Sequence, residues 1–313
     1  MSYSTDISCR GPANNNAASR GGTVKQSCSW VVPLRTSGAR PPLFCASALG
    51  GDTFDYCDLA AALSEDQPAY CFGVPNLNEA EDFPTVERIA EAYVLKVREL
   101  QKRGPYYLCG HSFGGLVVYE MAKVLAGEGD DVGLVALLDA EHPAYSRNLP
   151  IEQRAKYYLI YVFDRLAKYG SNLSRGRIDR MFVDAFHYCY GWAKKLAWRA
   201  APALFGAMGH EVPSQIRTNH LVLTKALRTY SPGEYRGRVD LFVAAGRPPE
   251  YRVDNTLGWR TCATGVLATH VVPGDHATLL HPPFVSVLAE RMTPFLGRAG
   301  EQFDQQLPGG IQR

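Results

Sequence analysis

The sequence is notable first for what it lacks. No stretch of 18 or more apolar residues occurs in its 313 positions, so no membrane-spanning helix is expected. The opening residues MSYSTDISCRGPANNN contain no apolar core of a secretory leader. Charge of one sign is absent too. Lys and Arg number 33 against 31 Asp and Glu, a net of +2, which gives no reason to expect a nucleic-acid partner. The eight cysteines (Cys9, Cys28, Cys45, Cys57, Cys71, Cys109, Cys189 and Cys262) form no CxxC pair and show no metal-ligand spacing. In a chain this long such scatter fits reduced thiols better than a disulfide framework, and the expected compartment is the cytoplasm.

What is present is apolar bulk, 46% of the residues, enough to fill one large α/β domain or one domain carrying an insertion. Residues 1–28 are polar and aperiodic and read as a flexible tail, and 299–313 as a C-terminal tail. Short apolar runs at Trp30–Leu34, Pro42–Ser47, Ala69–Val74, Tyr106–Cys109 and Val132–Leu138 have the look of buried strands. Helical periodicity separates them at Asp52–Ser64, capped from Asp52 or Thr53, at Pro84–Arg103 and at Phe113–Ala126. Alternation of this kind predicts a doubly wound, mostly parallel sheet. It stops near Leu149, where helix follows helix to about Tyr230. It resumes with strands at Val239–Ala245 and Val266–Val272 and a helix over Phe284–Phe295. The expected organisation is therefore a core of 29–148 and 231–298, with 149–230 inserted as a helical lid over the ligand-binding edge of the sheet.

One motif carries chemistry. Gly110-His111-Ser112-Phe113-Gly114 matches G-x-S-x-G, with a strand running in and a helix running out. That setting makes a chance Gly/Ser turn the weaker reading. Such an elbow holds its serine at a strained turn, and glycines two residues either side let strand and helix approach. The Ser112 hydroxyl then lies at a helix N-terminus, where the dipole and free N–H groups favour an oxyanion.

A serine hydroxyl needs a base, and the base needs an orienting acid. His276 in Pro273-Gly274-Asp275-His276 follows the last strand and is the expected base. His281 lies five residues on, His270 lies within the strand, and His111 is expected to face elsewhere on the turn as packing. Two positions compete for the acid. Asp139 ends the strand after the nucleophile helix, at the edge where ligands bind. Many hydrolases instead take the acid after the next strand, where Glu250 and Asp254 stand; Asp240 lies at the wrong end of that strand. Geometry leaves Asp139 and Asp254 level. The second oxyanion donor, beside the Phe113 N–H, should come from Ala48-Leu49-Gly50-Gly51, although Gly50-Gly51 also suits an ordinary strand-to-helix turn.

These residues resemble the thioesterase domains that release products from nonribosomal peptide and polyketide synthases, which have the α/β-hydrolase fold. The resemblance spans roughly residues 30–297. It rests on Val32-Pro33-Leu34-Arg35, Pro42-Leu43-Phe44-Cys45, Gly110-His111-Ser112-Phe113-Gly114-Gly115, Glu120-Met121-Ala122, Leu137-Leu138-Asp139 and Gly274-Asp275-His276. It implies Asp139 as the acid, His276 as the base and the second oxyanion amide at or next to Ala48. The sequence departs from many relatives in reading Ala46-Ser47-Ala48 where they carry His-Pro. The implied substrate is an acyl chain held as a thioester on the phosphopantetheine arm of a carrier protein, with no metal or redox cofactor. Ser112 would take the chain, and water or a nucleophile within the chain would release it, by hydrolysis or cyclisation. A stand-alone editing thioesterase and a carboxylesterase or lipase without a carrier partner are the alternatives.

The lid holds twelve aromatics between Tyr157 and Phe205. Some could line an acyl channel, although most are expected to pack the lid onto the core. Its basic residues, Lys156, Arg175, Arg177, Arg180, Lys194, Lys195 and Arg199, could meet an acidic carrier, but a solvated helix face accounts for them as well.

Overall fold

A computed structural model describes residues 30–49, 53–73, 85–174 and 219–297. The expected N-terminal tail, Gly50-Gly51, the whole of the expected C-terminal tail and residues 175–218 of the expected lid lie outside the described residues.

Seven strands form one sheet: β1 (Val31–Arg35), β2 (Leu43–Ala46), β3 (Ala69–Phe72), β4 (Tyr106–His111), β5 (Val132–Leu138), β6 (Val239–Ala244) and β7 (Leu267–Val272). Their spatial order is β1-β3-β2-β4-β5-β6-β7. All neighbours are parallel except β1, which runs antiparallel to β3. Every residue of β2 and β4 is buried, as expected of strands covered on both faces. Successive side chains enter opposite cores. Phe44, Tyr106, Leu108, Val135 and Leu137 face one, while Cys45, Tyr107, Cys109, Leu134 and Ala136 face the other.

The first core is closed by α2 (Val86–Leu100) and α3 (Phe113–Gly127), the second by α1 (Cys57–Ala62) and a C-terminal helix, Val285–Met292. Helix α2 starts where Thr85 accepts the Arg88 N–H at 3.3 Å, the N-cap geometry that satisfies an otherwise orphaned donor. The helix expected over Asp52–Ser64 is split, a 3-10 turn at Phe54–Tyr56 leading into α1, and Thr53 makes no side-chain cap bond.

Between β5 and β6 the described chain is helical: α4 (Tyr145–Asn148), α5 (Ile151–Ser174) and α6 (Asn219–Thr229). We number the C-terminal helix α7. Helix α6 lies on the sheet domain, with Leu223, Ala226 and the following Tyr230 in the first core. Tyr230 donates to Glu120 of α3 at 2.6 Å, and Lys123 holds the same carboxylate at 2.9 Å. The helix that follows the serine is thereby tied to the chain re-entering β6. The start of α5 rests on a 3-10 turn at Pro249–Val253, and the Tyr157 ring lies 5.8 Å from Tyr145 and 5.9 Å from Tyr251.

Candidate active site

Ser112 sits between β4 and α3 with φ 54° and ψ −117°, a conformation strained for any residue with a side chain. Neighbouring elements hold it there. The Ser112 N–H bonds Leu138 O at 3.0 Å. The His111 N–H donates to the Tyr56 hydroxyl, which donates to Ala46 O, both at 2.7 Å, so β2 and β4 are pinned at the elbow. A side chain at Gly110 would overlap the Gly114 carbonyl, and one at Gly114 would overlap that of Ala46. The strand-to-helix reversal can close only with glycine at both positions.

His276 comes from the loop after β7. The Asp275 carboxylate shapes that loop, accepting the N–H groups of Ala277 and Thr278 at 3.0 Å and the Thr278 hydroxyl at 2.8 Å. These bonds, that from the Thr278 side chain foremost, hold the Asp275 carboxyl below its ordinary range. The His276 Nε2 lies 3.1 Å from Ser112 Oγ, and its Nδ1 lies 2.7 Å from Asp139 Oδ2. Burial grades along this line, with the His276 side chain 51% exposed and that of Asp139 0%. Burial alone would raise the Asp139 carboxyl. The His276 hydrogen bond, the Arg247 charge and the Ala244 N–H together outweigh it and hold the carboxyl below its ordinary value.

Of the competing residues, Asp254, His281 and His270 are engaged elsewhere. Asp254 accepts the Thr256 N–H (2.9 Å), the Thr256 hydroxyl (2.6 Å) and the Gly258 N–H (2.9 Å), a carboxylate spent on folding its own loop. Glu250 is buried in the 3-10 turn. His281 pairs with Asp58 at 3.2 Å, and His270 with Asp240 at 2.8 Å. Asp240 is also forked by Arg238 near the start of β6.

One expectation is corrected. His111 does not face away from the site; its ring packs against that of His276, with centroids 4.7 Å apart. It is buried, and desolvation, helped by the His276 charge, lowers it to about 4, so it is neutral where His276 would work. The alternation of β4 carries this side chain, at the strand's last residue, onto the face where the β7 loop returns.

The site opens on a cavity of about 410 Å³. Leu49, Phe113, Leu116, Pro143, Leu227 and Tyr251 form its apolar wall, and Ser112, His276, Asp139, Glu141 and Arg247 its polar one. Beside the predicted oxyanion donors, the Ser47 N–H is spent on Phe72 O at 3.0 Å, and half-buried Ala48 follows it. Arg247, which no motif singled out, packs between Asp139 and Glu141. Among the described residues, no group of three or more His, Cys, Asp or Glu side chains is placed to hold a metal ion, and no helix is long and apolar enough to cross a membrane.

A family model described as thioesterase domain matches residues 41–293. The chain belongs to the thioesterase domain family. CymA of Salinispora arenicola, a probable nonribosomal peptide synthetase, is 30% identical over 260 residues, covering 82% of this chain and 3% of its own. A dimodular nonribosomal peptide synthase of Bacillus subtilis is 26% identical over 264 residues, 83% of this chain and 10% of that protein. The thioesterase domain thus spans a tenth or less of the length of these two relatives. Among solved structures, a four-domain nonribosomal peptide synthetase matches with a TM-score of 0.60 at 22% identity, over 85% of this chain and 20% of that one. The NocB thioesterase domain, in covalent complex with a fluorophosphonate nocardicin G analog, matches with a TM-score of 0.54 at 22% identity, over 86% of this chain and 100% of that one. The thioesterase domain therefore has the α/β-hydrolase fold, a mostly parallel sheet flanked by helices.

Proposed function

We propose that this thioesterase domain releases an acyl or peptidyl chain from the phosphopantetheine thioester of a carrier protein, through an acyl-enzyme on Ser112. The observation that carries the reading is the hydrogen-bonded line from Ser112 Oγ through His276 to buried Asp139, opening on a cavity with one apolar wall. In acylation, His276 Nε2 accepts the Ser112 proton as Oγ attacks the thioester carbonyl. Asp139 Oδ2 holds the Nδ1 proton and stabilises the imidazolium. The N–H groups of Phe113 and Ala48 would receive the developing oxyanion; losing one such donor typically costs about a hundred- to a thousandfold in turnover. The imidazolium then protonates the departing thiol. In the second half the same nitrogen takes a proton from water or from a nucleophile within the chain, and Ser112 is regenerated.

The carrier-bound substrate is supported by the synthetase relatives and by the apolar wall, which suits a chain better than a small ester. In this reading, residues 149–230 form the lid over the cavity and the protein works in the cytoplasm.

Incubation with a fluorophosphonate should place one label on Ser112, and none on Ser112→Ala. A folded wild-type protein that takes no label would remove the acyl-enzyme. Mass spectrometry of product released from a loaded carrier protein, compared with turnover of a simple ester, tests the substrate class. Faster turnover of the ester would make this an esterase.

A further inference from the structure

The loop after β6 is where many hydrolases of this fold present the acid, and here it presents a cation. Arg247 stands three residues past β6 with its side chain 9% exposed. Its Nε donates to Asp139 Oδ1 at 2.7 Å, its Nη2 to the Asp139 carbonyl at 2.7 Å, and its Nη1 to Glu141 Oε2 at 3.3 Å. The guanidinium carbon of Arg247 lies 4.6 Å from the centre of the Tyr251 ring. The loop itself is braced by Gly246 N–H to Gly274 O at 2.8 Å, two residues before His276.

A carboxylate offers two equivalent oxygens and turns easily about its last bond. At Asp139 the equivalence is broken. Oδ1 is filled by Arg247 Nε and the Ala244 N–H at 2.9 Å, which leaves Oδ2 for His276. The Nη2 bond also holds the peptide of a residue whose φ is 47°, where an L-residue is strained. A planar fork presents its donors to the side chain and main chain of one residue in fixed geometry; an ammonium supplies the charge without that fork. The charge count keeps the site serviceable. Arg247 faces two carboxylates, Asp139 and Glu141, so the cluster still presents one net negative charge to an imidazolium at His276.

We infer that Arg247 is a positioning residue for the reaction, acting through Asp139 by fixing which carboxylate oxygen faces His276. The inference rests on the acyl-enzyme reading above. The titratable or charged groups around Asp139 are His276, Arg247 and the His111 ring, with Glu141 behind Arg247. Of these, His276 and Arg247 keep the buried carboxyl ionised. Removing Arg247 leaves burial less opposed, so the carboxyl would take up a proton at higher pH than before.

The test follows fluorophosphonate inactivation and thioester turnover of Arg247→Met and Arg247→Lys across pH, with melting curves. Arg247→Met should lower kcat about ten- to a hundredfold at pH 7, the scale of a misplaced catalytic group, with KM little changed. Its acid limb should move to higher pH. Arg247→Lys should bring the limb back toward wild type while kcat stays low, because the charge returns without the fork. Arg238→Met, which breaks a similar fork on Asp240 near the start of β6, should lower the melting temperature and leave the limb in place. Wild-type kcat in folded Arg247→Met overturns the inference, as does a loss that is uniform across pH. Should Arg247→Met not fold, Arg247→Lys decides, since full kcat there refutes the need for a fork. Labelling of wild-type Ser112 is read first. Its failure removes the acyl-enzyme, whereas wild-type labelling with an unmoved limb in Arg247→Met removes only the role of Arg247.

Discussion

Replacing Asp139 by Asn keeps the shape of the acid and tests the arrangement atom by atom. Oδ1 accepts from two donors, the Ala244 N–H at 2.9 Å and Arg247 Nε at 2.7 Å, and the side chain is 0% exposed. An amide NH₂ there would meet two N–H groups head-on, so the amide oxygen must take that side. The NH₂ then faces His276 Nδ1, now 2.7 Å from the Asp139 Oδ2. It obliges Nδ1 to accept, which moves the ring proton to Nε2, the nitrogen that should receive the Ser112 proton at 3.1 Å. A base locked in the wrong tautomer typically costs about 10⁴ in kcat, roughly 5.5 kcal/mol of barrier. Folding should suffer less. Arg247 keeps the amide oxygen, the main-chain carbonyl and Glu141, so a loss of about 1–3 kcal/mol is expected rather than the larger cost of stranding a buried charge. The assay is single-turnover fluorophosphonate labelling beside steady-state thioester turnover and urea unfolding. Asp254→Asn is the comparison. Its carboxylate bonds Thr256 and Gly258, so it should lose stability and keep kcat within about threefold. A tenfold or smaller loss in Asp139→Asn, or an inactive but folded Asp254→Asn, would refute the assignment.

Two further outcomes follow from packing and burial. In Gly114→Ala the new methyl would overlap Ala46 O and lie 2.8 Å from Ser47 O, so the elbow must open; the expected result is insoluble protein or a melting temperature lowered by many degrees, and a soluble variant labelled at the wild-type rate would contradict the close approach. His111 and His142, both buried and both lowered mainly by desolvation to about 4, stay neutral in the fold, while unfolded histidine protonates near 6.5. The unfolded chain therefore binds more protons between those values, and stability falls as pH drops from about 6.5 to 4, by on the order of 3 kcal/mol for each ring. Urea midpoints at pH 7 and 4.5 measure this, and His111→Phe should flatten the slope; equal midpoints at the two pH values would refute it.

Much of this site was legible in the linear sequence because its parts are local. The run Tyr106–Cys109, the glycines and the apolar helix that follows specify the elbow within about twenty residues, and all lie where expected. Strand positions were legible from apolar runs, but strand direction was not. Nothing in Val31–Arg35 says that it pairs antiparallel with β3, since alternation has no sense along the chain. Asp139 and Asp254 stood level on geometry because both follow strands at the same edge. What separates them is a turn, in which Asp254 folds its own loop through Thr256 and Gly258, while Asp139 projects from a strained φ toward the neighbouring loops. Arg247 was invisible because its partner lies 108 residues away in the chain and arginine after a strand has no motif. The ring contact of His111 was missed because it depends on where the β7 loop returns.

In the proposed mechanism, the sheet order explains why the acid could stand on β5 at all. Ser112 follows directly on β4, and β5 is the hydrogen-bonded neighbour of that strand, with Gly110 opposite Leu137 and His111 opposite Leu138. Asp139 is thus one residue past the register partner of His111, level with Ser112 itself, and its N–H is anchored across to Phe242 O of β6 at 2.7 Å. An acid on β6 would stand one strand further from the serine but nearer the β7 loop that carries the histidine. From β5 the carboxylate must reach outward under the β6 loop to meet His276, and that path needs a donor surface in the β6 loop to lie against. The Ala244 N–H and Arg247 supply it. Moving the acid inward and placing a guanidinium at the vacated position are, on this geometry, two halves of one arrangement. A chain that carries the β5 acid without a donor at the Arg247 position should hold its histidine less firmly, and its acid limb should lie at higher pH.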